Sequence, residues 1–137
     1  MARLVERLGL TRYDADQHYR DALQAYKKRN LEEAHAQIKQ AIEFHSGHAE
    51  YYAAQGFFYL EDGVQDRAEE SFDQALAINP YEMLANYGRG IIAYKDKNWE
   101  EAASYFFDAL AAQPTRPETQ YYLALVNHRQ SNNTHAL

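Results

Sequence analysis

The chain contains no cysteine, which removes disulfide frameworks, thiolate nucleophiles and thiolate metal ligands from consideration. A basic balance is also missing. The formal charge is −6 over 137 residues, whereas a nucleic-acid surface needs a positive stripe. No apolar run approaches the roughly 20 residues that cross a bilayer, so membrane insertion is not expected. The opening MARLVERLGL is not a secretory signal, because Glu6 and Arg7 interrupt any apolar core. The glycosylation sequon Asn132-Asn133-Thr134 is therefore read as chance. Proline is scarce, and Pro80, Pro114 and Pro117 all fall at boundaries rather than inside a helical pattern. A chain of this length suits one domain and buries about two thirds of its unfolded surface. Together these absences point to a soluble, cytoplasmic protein.

What is present is a period. Ala49–Pro80 reads as two helical patterns joined at Gly63 and closed by Asn79-Pro80, and it recurs at a shift of 34 residues in either direction. Ala34, Ala68 and Ala102 align, as do Ala41, Ala75 and Ala109, and Ala22, Gly56, Gly90 and Ala124. Small residues at fixed phases mark places where two helices cross closely. The pattern predicts a helical repeat array.

These residues carry a resemblance to the tetratricopeptide repeat family. That family places a small residue eight into each unit, alanines at twenty and twenty-seven, and proline near the end. Gly56, Ala68, Ala75 and Pro80 match it, as do Gly90, Ala102, Ala109 and Pro114, with Ala22, Ala34 and Ala41 in the first unit. Departures are Ser46 for the first closing proline, and Asp21, Gln55 and Arg89 where leucine is usual at position seven. The polar residues at that position question the local packing. The resemblance implies an all-α, right-handed solenoid of helical hairpins: three units plus a C-terminal capping helix.

The expected organisation is an N-terminal extension or cap over residues 1–13, a repeat domain over 14–130, and a frayed tail over 131–137. The units are expected near 15–48, 49–82 and 83–116, with the capping helix over 117–130. Asp14 and Gln17 have capping-box spacing for the first helix, and Thr115 through Glu118 give a second start signal with an early proline. Residues 1–13 carry Arg3, Arg7 and Arg12 against Glu6, a balance of +2 that leaves −8 for the rest. Leu4, Val5, Leu8 and Leu10 give this stretch an apolar face, so it reads as a cap on the first unit or as a segment that docks into a groove.

On the first helix of each unit, positions five, nine and twelve form a stripe beside the one that meets the partner helix. It reads Tyr19, Leu23 and Tyr26; Ala53, Phe57 and Leu60; Tyr87, Ile91 and Tyr94; then Tyr121, Leu125 and His128. The resemblance implies that this stripe lines the concave face, where the family often has asparagine at position nine. Four large apolar residues there suggest a groove for an apolar or amphipathic segment. The competing reading is that the stripe is core between repeats. A clamp for a C-terminal carboxylate, known in some members, would fall on Tyr19, Leu23, Ala54, Leu84 and Gly88, none of which carries a positive charge.

No nucleophile with base and orienting residue can be assembled from the spacing, so catalysis is not expected. Glu32-Glu33, Glu69-Glu70 and Glu100-Glu101 sit early in second helices and complement their dipoles. His35, His45 and His48 lack partners for a metal site, and no cofactor is expected. The resulting expectation is a non-catalytic protein-interaction module with a protein or peptide partner. Two alternatives share the features: a self-assembling scaffold in which another copy fills the groove or covers the last helix, and a peptide chaperone.

Overall fold

The computed structural model describes the backbone of residues 10–136 and the side chains of residues 14–132. Seven helices occupy the described residues: α1 Leu10–Lys27, α2 Leu31–Phe44, α3 Ala49–Glu61, α4 Gln65–Ile78, α5 Met83–Lys95, α6 Trp99–Ala112 and α7 Pro117–Ala136. They form three hairpins, α1–α2, α3–α4 and α5–α6, with α7 laid against the last. Each helix packs most closely on its hairpin partner, and successive hairpins stack through α2–α3, α4–α5 and α3–α5.

The period extends to the backbone. Each hairpin turn ends its first helix with a residue in the left-handed region: Arg29 at φ 61°, Gly63 at 76° and Lys97 at 61°. In each, the next amide reaches back to close the helix: Asn30 N–H donates to the Ala25 carbonyl, Val64 to Tyr59 and Asn98 to Ala93, all at 2.9 Å. This is the Schellman closure, for which glycine is the unstrained residue. Only the middle unit uses it.

The repeated small residues fill the crossings. Ala34, Ala68 and Ala102 and then Ala41, Ala75 and Ala109 are completely buried. At the tightest point the Phe72 ring of α4 lies between two glycines. A Cβ added to Gly56 of α3 would sit 2.4 Å from the Phe72 ring, and one on Gly88 of α5 would sit 2.3 Å from it. Phe106 takes the equivalent place beside Gly90. In the first unit the pair at these phases is Ala22 and Ile38, both fully buried. The residue facing an alanine is smaller than the one facing a glycine.

Three sequence expectations change. The first helix does not start at Asp14; the chain is already helical at Leu10, because Leu10 through Tyr13 contain no breaker. Gln17, assigned to a capping box, instead bonds Asp21 and Arg20 at 3.0 Å each. The proposed cap therefore merges into α1 over residues 10–13, while residues 1–9 lie outside the described residues. At the other end α7 begins at Pro117 and runs to Ala136, past the expected end near Gln130. Nothing from Ser131 to Ala136 is glycine or proline, and extending an existing helix costs only the propensity of each added residue.

The polar residues at position seven do not disturb the packing. Arg89 reaches from α5 to Glu69 at 3.0 Å and Asp73 at 3.3 Å on α4, and to Glu101 at 3.7 Å on α6, with Tyr105 stacked under its guanidinium at 5.2 Å. Gln55 accepts a bond from the Ser71 hydroxyl at 3.1 Å. At Arg89 and Gln55 apolar packing has been exchanged for polar ties between first and second helices, while Asp21 bonds Gln17 within α1.

Candidate functional site

The stripe of first-helix residues is neither buried core nor open surface. Leu23, Phe57, Ile91 and Leu125 are all half-buried, as are Tyr19, Tyr26, Leu60, Tyr87 and Tyr94. Tyr121 is 62% exposed. Ala53, which shares the stripe, is fully buried and offers nothing to a ligand.

Their contacts explain the partial burial. Tyr19 packs on Tyr51 with ring centroids 5.0 Å apart, and Tyr26 stacks on Phe58 at 5.4 Å, so both belong to the seam between α1 and α3. The Tyr26 hydroxyl donates to Glu61 at 3.1 Å, and burial followed by that carboxylate pushes its pKa up. Phe57 meets Phe72 edge-on at 5.2 Å and lies beside Tyr87 at 6.1 Å. Tyr94 meets Trp99 at 5.3 Å and Tyr122 at 5.6 Å. Leu23 packs with the first core cluster, Leu60 with the second and Ile91 with the third. The inter-repeat reading thus applies to Tyr19, Tyr26, Tyr87 and Tyr94, all half-buried, and not to the exposed Tyr121.

Tyr122 escaped the sequence reading, although it is the hub of the last aromatic group. It contacts Phe106 at 5.4 Å, Tyr94 at 5.6 Å, Tyr121 at 5.8 Å and Tyr87 at 6.0 Å. The signal was available, since a 34-residue shift puts Tyr122 where Gly88 stands. The Arg116 guanidinium lies 5.4 Å from the Tyr87 ring and extends this group into a cation–π contact.

A cavity of about 580 Å³ lies where the first helices start and the second helices end. Tyr19, Glu50, Tyr81, Glu82 and Leu84 line it together with Ile78 and Gln113. Of the twelve stripe residues singled out in the sequence, it includes only Tyr19. Glu82 is 8% exposed and caps α5, accepting from the Ala85 amide at 2.7 Å. Burial raises the Glu82 pKa, against the opposing effect of that amide. Burial, reinforced by the Glu50 and Glu82 carboxylates, pushes the Tyr19 hydroxyl up to about 12. Beside the cavity, the Tyr51 hydroxyl donates to Asp16 at 2.5 Å, and burial raises its pKa strongly. The histidines noted in the sequence serve packing: His45 and His48 stack at 5.6 Å, and His35 bonds Asp62 at 2.6 Å across two hairpins. Among the described residues no group of three or more histidines, aspartates and glutamates is placed to hold a metal ion. None of the described helices is long and apolar enough to cross a membrane.

Similar proteins extend these observations. The Arabidopsis OM64 TPR domain superposes with a TM-score of 0.79 at 21% identity, covering 86% of this chain and 98% of that one. The first TPR of Spaghetti (RPAP3), bound to the HSP90 peptide SRMEEVD, gives 0.81 at 17% identity, covering 87% and 97%. Among curated sequences, the cellulose synthase 1 operon protein C of Komagataeibacter xylinus is 37% identical over 59 residues, which is 43% of this chain and 4% of that much longer protein. The tetratricopeptide repeat family model matches residues 19–82, 59–117 and 87–137, so the period, the helix crossings and the matches agree: the chain belongs to the tetratricopeptide repeat family.

Proposed function

We propose that the chain is a non-catalytic protein-interaction module that holds an apolar or amphipathic segment along the face formed by α1, α3, α5 and α7. The repeat domain is taken as residues 14–130, with units near 15–48, 49–82 and 83–116. The observation that carries the reading is the row Leu23, Phe57, Ile91 and Leu125: four large apolar side chains at one register, each half-buried. Unsatisfied apolar area arrayed along a solenoid favours a ligand that covers it. Tyr26, Tyr87 and Tyr94 flank the row with rings already held by neighbours, so little side-chain entropy is lost when a ligand lands on them.

The chemistry of the face argues against a ligand like the acidic peptide of the Spaghetti complex. Tyr19, Leu23, Ala54, Leu84 and Gly88 supply no positive charge, and the cavity at the helix starts beside the row holds Glu50 and Glu82. Self-assembly through the last helix is also disfavoured. The α7 stripe that would meet a missing partner helix is Gln120, Ala124 and Asn127, all exposed and suited to water.

The test replaces Phe57 and Ile91 together with glutamate and compares capture of protein partners with the wild type. Far-UV circular dichroism should show unchanged helicity, because both side chains already reach solvent, while partner capture is lost. Retained capture would place the binding surface elsewhere.

A further inference from the structure

A hollow of about 480 Å³ lies at the turn of the third hairpin, lined by Tyr94, Lys95, Lys97, Trp99 and Arg129. Tyr94 and Trp99 are half-buried, with ring centroids 5.3 Å apart, while the three cations are exposed. The Arg129 guanidinium reaches from α7 to within 5.9 Å of the Trp99 ring, a cation–π contact that seats it against the aromatic wall. No carboxylate of the described residues forms an ion pair with Lys95, Lys97 or Arg129. Of the acids close in sequence, Asp96 faces Gln65 at 3.4 Å, Glu101 is held by Asn98 and Arg89, and Glu100 does not line the hollow. In a chain of net charge −6, three cations gathered without an acid are an exception.

The first hairpin shows what this register looks like when it is closed. Two periods earlier, Tyr26, Lys27, Arg29, Leu31 and Glu61 line a space of about 250 Å³. There Glu61 accepts from the Tyr26 hydroxyl at 3.1 Å and sets an acid beside the two cations. In the third hairpin Arg129 stands where Glu61 does, and Trp99 where Leu31 does. The helix dipole accounts for Lys95 in the last turn of α5, as it does for Lys27 in α1. It does not account for Arg129, which lies in the interior of α7. Lys97 keeps a charged side chain at φ 61°, a place that Gly63 takes without strain in the second unit.

We infer that the Tyr94–Trp99–Arg129 hollow binds a phosphorylated serine or threonine on a partner's segment. The phosphate lies among Lys95, Lys97 and Arg129, and an adjoining aliphatic side chain lies against Tyr94 and Trp99. A phosphate monoester brings about two negative charges and three terminal oxygens, one for each cation. A carboxylate brings one charge and two oxygens, and so matches three cations less well. The space falls within the range of about 300–1,000 Å³ usual for ligand pockets, so flanking residues fit beside the phosphate. Tyr94 also flanks the apolar row, and carriage of the phosphate on a protein segment rests on that reading; the anion site itself does not.

Trp99 is the chain's single tryptophan and lines the hollow, so its fluorescence reads occupancy directly. The full chain is titrated with a leucine-flanked phosphoserine peptide, the same peptide with serine, the same with glutamate, and inorganic phosphate. The phosphopeptide should give a saturable change that weakens with added salt, at least about tenfold tighter than the other three. Calorimetry reads the variants, in which the surroundings of the tryptophan change. Arg129→Glu, which restores the acid of the first hairpin, should abolish binding with helicity unchanged by circular dichroism. Lys97→Gly should weaken binding without lowering thermal stability, which separates lost binding from lost folding. Phe57→Glu should leave binding intact, since Phe57 lies outside the hollow, so the anion site and the apolar row fail separately. No response to the phosphopeptide, or an equal response to the serine peptide, would overturn the proposal. An equal response to the glutamate peptide would overturn it in favour of acidic segments in general, and an equal response to inorganic phosphate in favour of a bare anion. Undiminished binding by Arg129→Glu would place the phosphate elsewhere and overturn it too.

Discussion

At the scale of single residues, the size of one side chain is set by the absence of another. Phe72 fits because Gly56 and Gly88 carry no Cβ, and either glycine replaced by alanine would put a methyl group less than 3 Å from the ring. Gly56→Ala should therefore cost about 1–3 kcal/mol, the usual range for overpacking a filled core. The first unit supplies the remedy, since Ala22 there goes with Ile38. Gly56→Ala combined with Phe72→Ile should be less destabilised than the sum of the two single changes, as read by urea unfolding. Strict additivity would mean that the two sites do not share the space. Glu82 is a residue whose charge works against the fold. Its pKa is raised by burial above the ordinary 4.5, so the folded chain holds this proton to higher pH than the unfolded chain does. Its contribution is thus complete below the unfolded pKa and is lost as pH rises through the folded one. Glu82→Gln should flatten this fall, measured as a smaller decline in unfolding free energy between the ordinary glutamate range and neutrality.

At the scale of elements, the hairpin turns combine what the sequence announces with what it hides. Gly63 is visible as a helix terminator, and it occupies the left-handed position at φ 76°. Arg29 and Lys97 hold the same position at 61° and give no local sign of it. Glycine relieves the steric cost there but adds freedom to the unfolded chain, so Arg29→Gly or Lys97→Gly should stabilise by at most about 1 kcal/mol, and Gly63→Ala should destabilise by a similar amount. Thermal unfolding of the three variants checks the sign. The end of α4 was legible because the Asn79-Pro80 pair is a local signal for a local event. The start of α1 was not, because Asp14 and Gln17 can form a capping box or lie inside a helix, and their spacing does not choose between these. The half-burial of the stripe was partly legible in its apolar register. The cavity was not, since Tyr19, Glu50 and Glu82 come from three segments that only stacking of the hairpins brings together.

At the scale of the whole molecule, a solenoid has no single core, and cooperation depends on the joints between neighbouring units. The joint between the first two hairpins is distributed over the Tyr19–Tyr51 and Tyr26–Phe58 stacks and the His35–Asp62 bond. Between the second and third it is concentrated, because Phe72 fills the space against both Gly56 of α3 and Gly88 of α5. Arg89 adds a second tie across α4, α5 and α6, although its acidic partners are a third to more than half exposed and water weakens each pair. Removing the ring should therefore do more than lower stability. Phe72→Ala should cost about 3–5 kcal/mol, as for other buried phenylalanines, and should also loosen the third unit from the first two. Trp99 is the chain's single tryptophan and packs on Tyr94 within that third unit, so its fluorescence reports the unit alone while circular dichroism reports every helix. In the wild type the two urea transitions should coincide, as an all-or-none transition requires. In Phe72→Ala they should separate, and the apparent dependence on urea should become shallower by circular dichroism. If the transitions still coincide in the variant, the Arg89 ion pairs and the remaining α3–α5 contacts are enough to hold the units together, and the ring serves only to fill space.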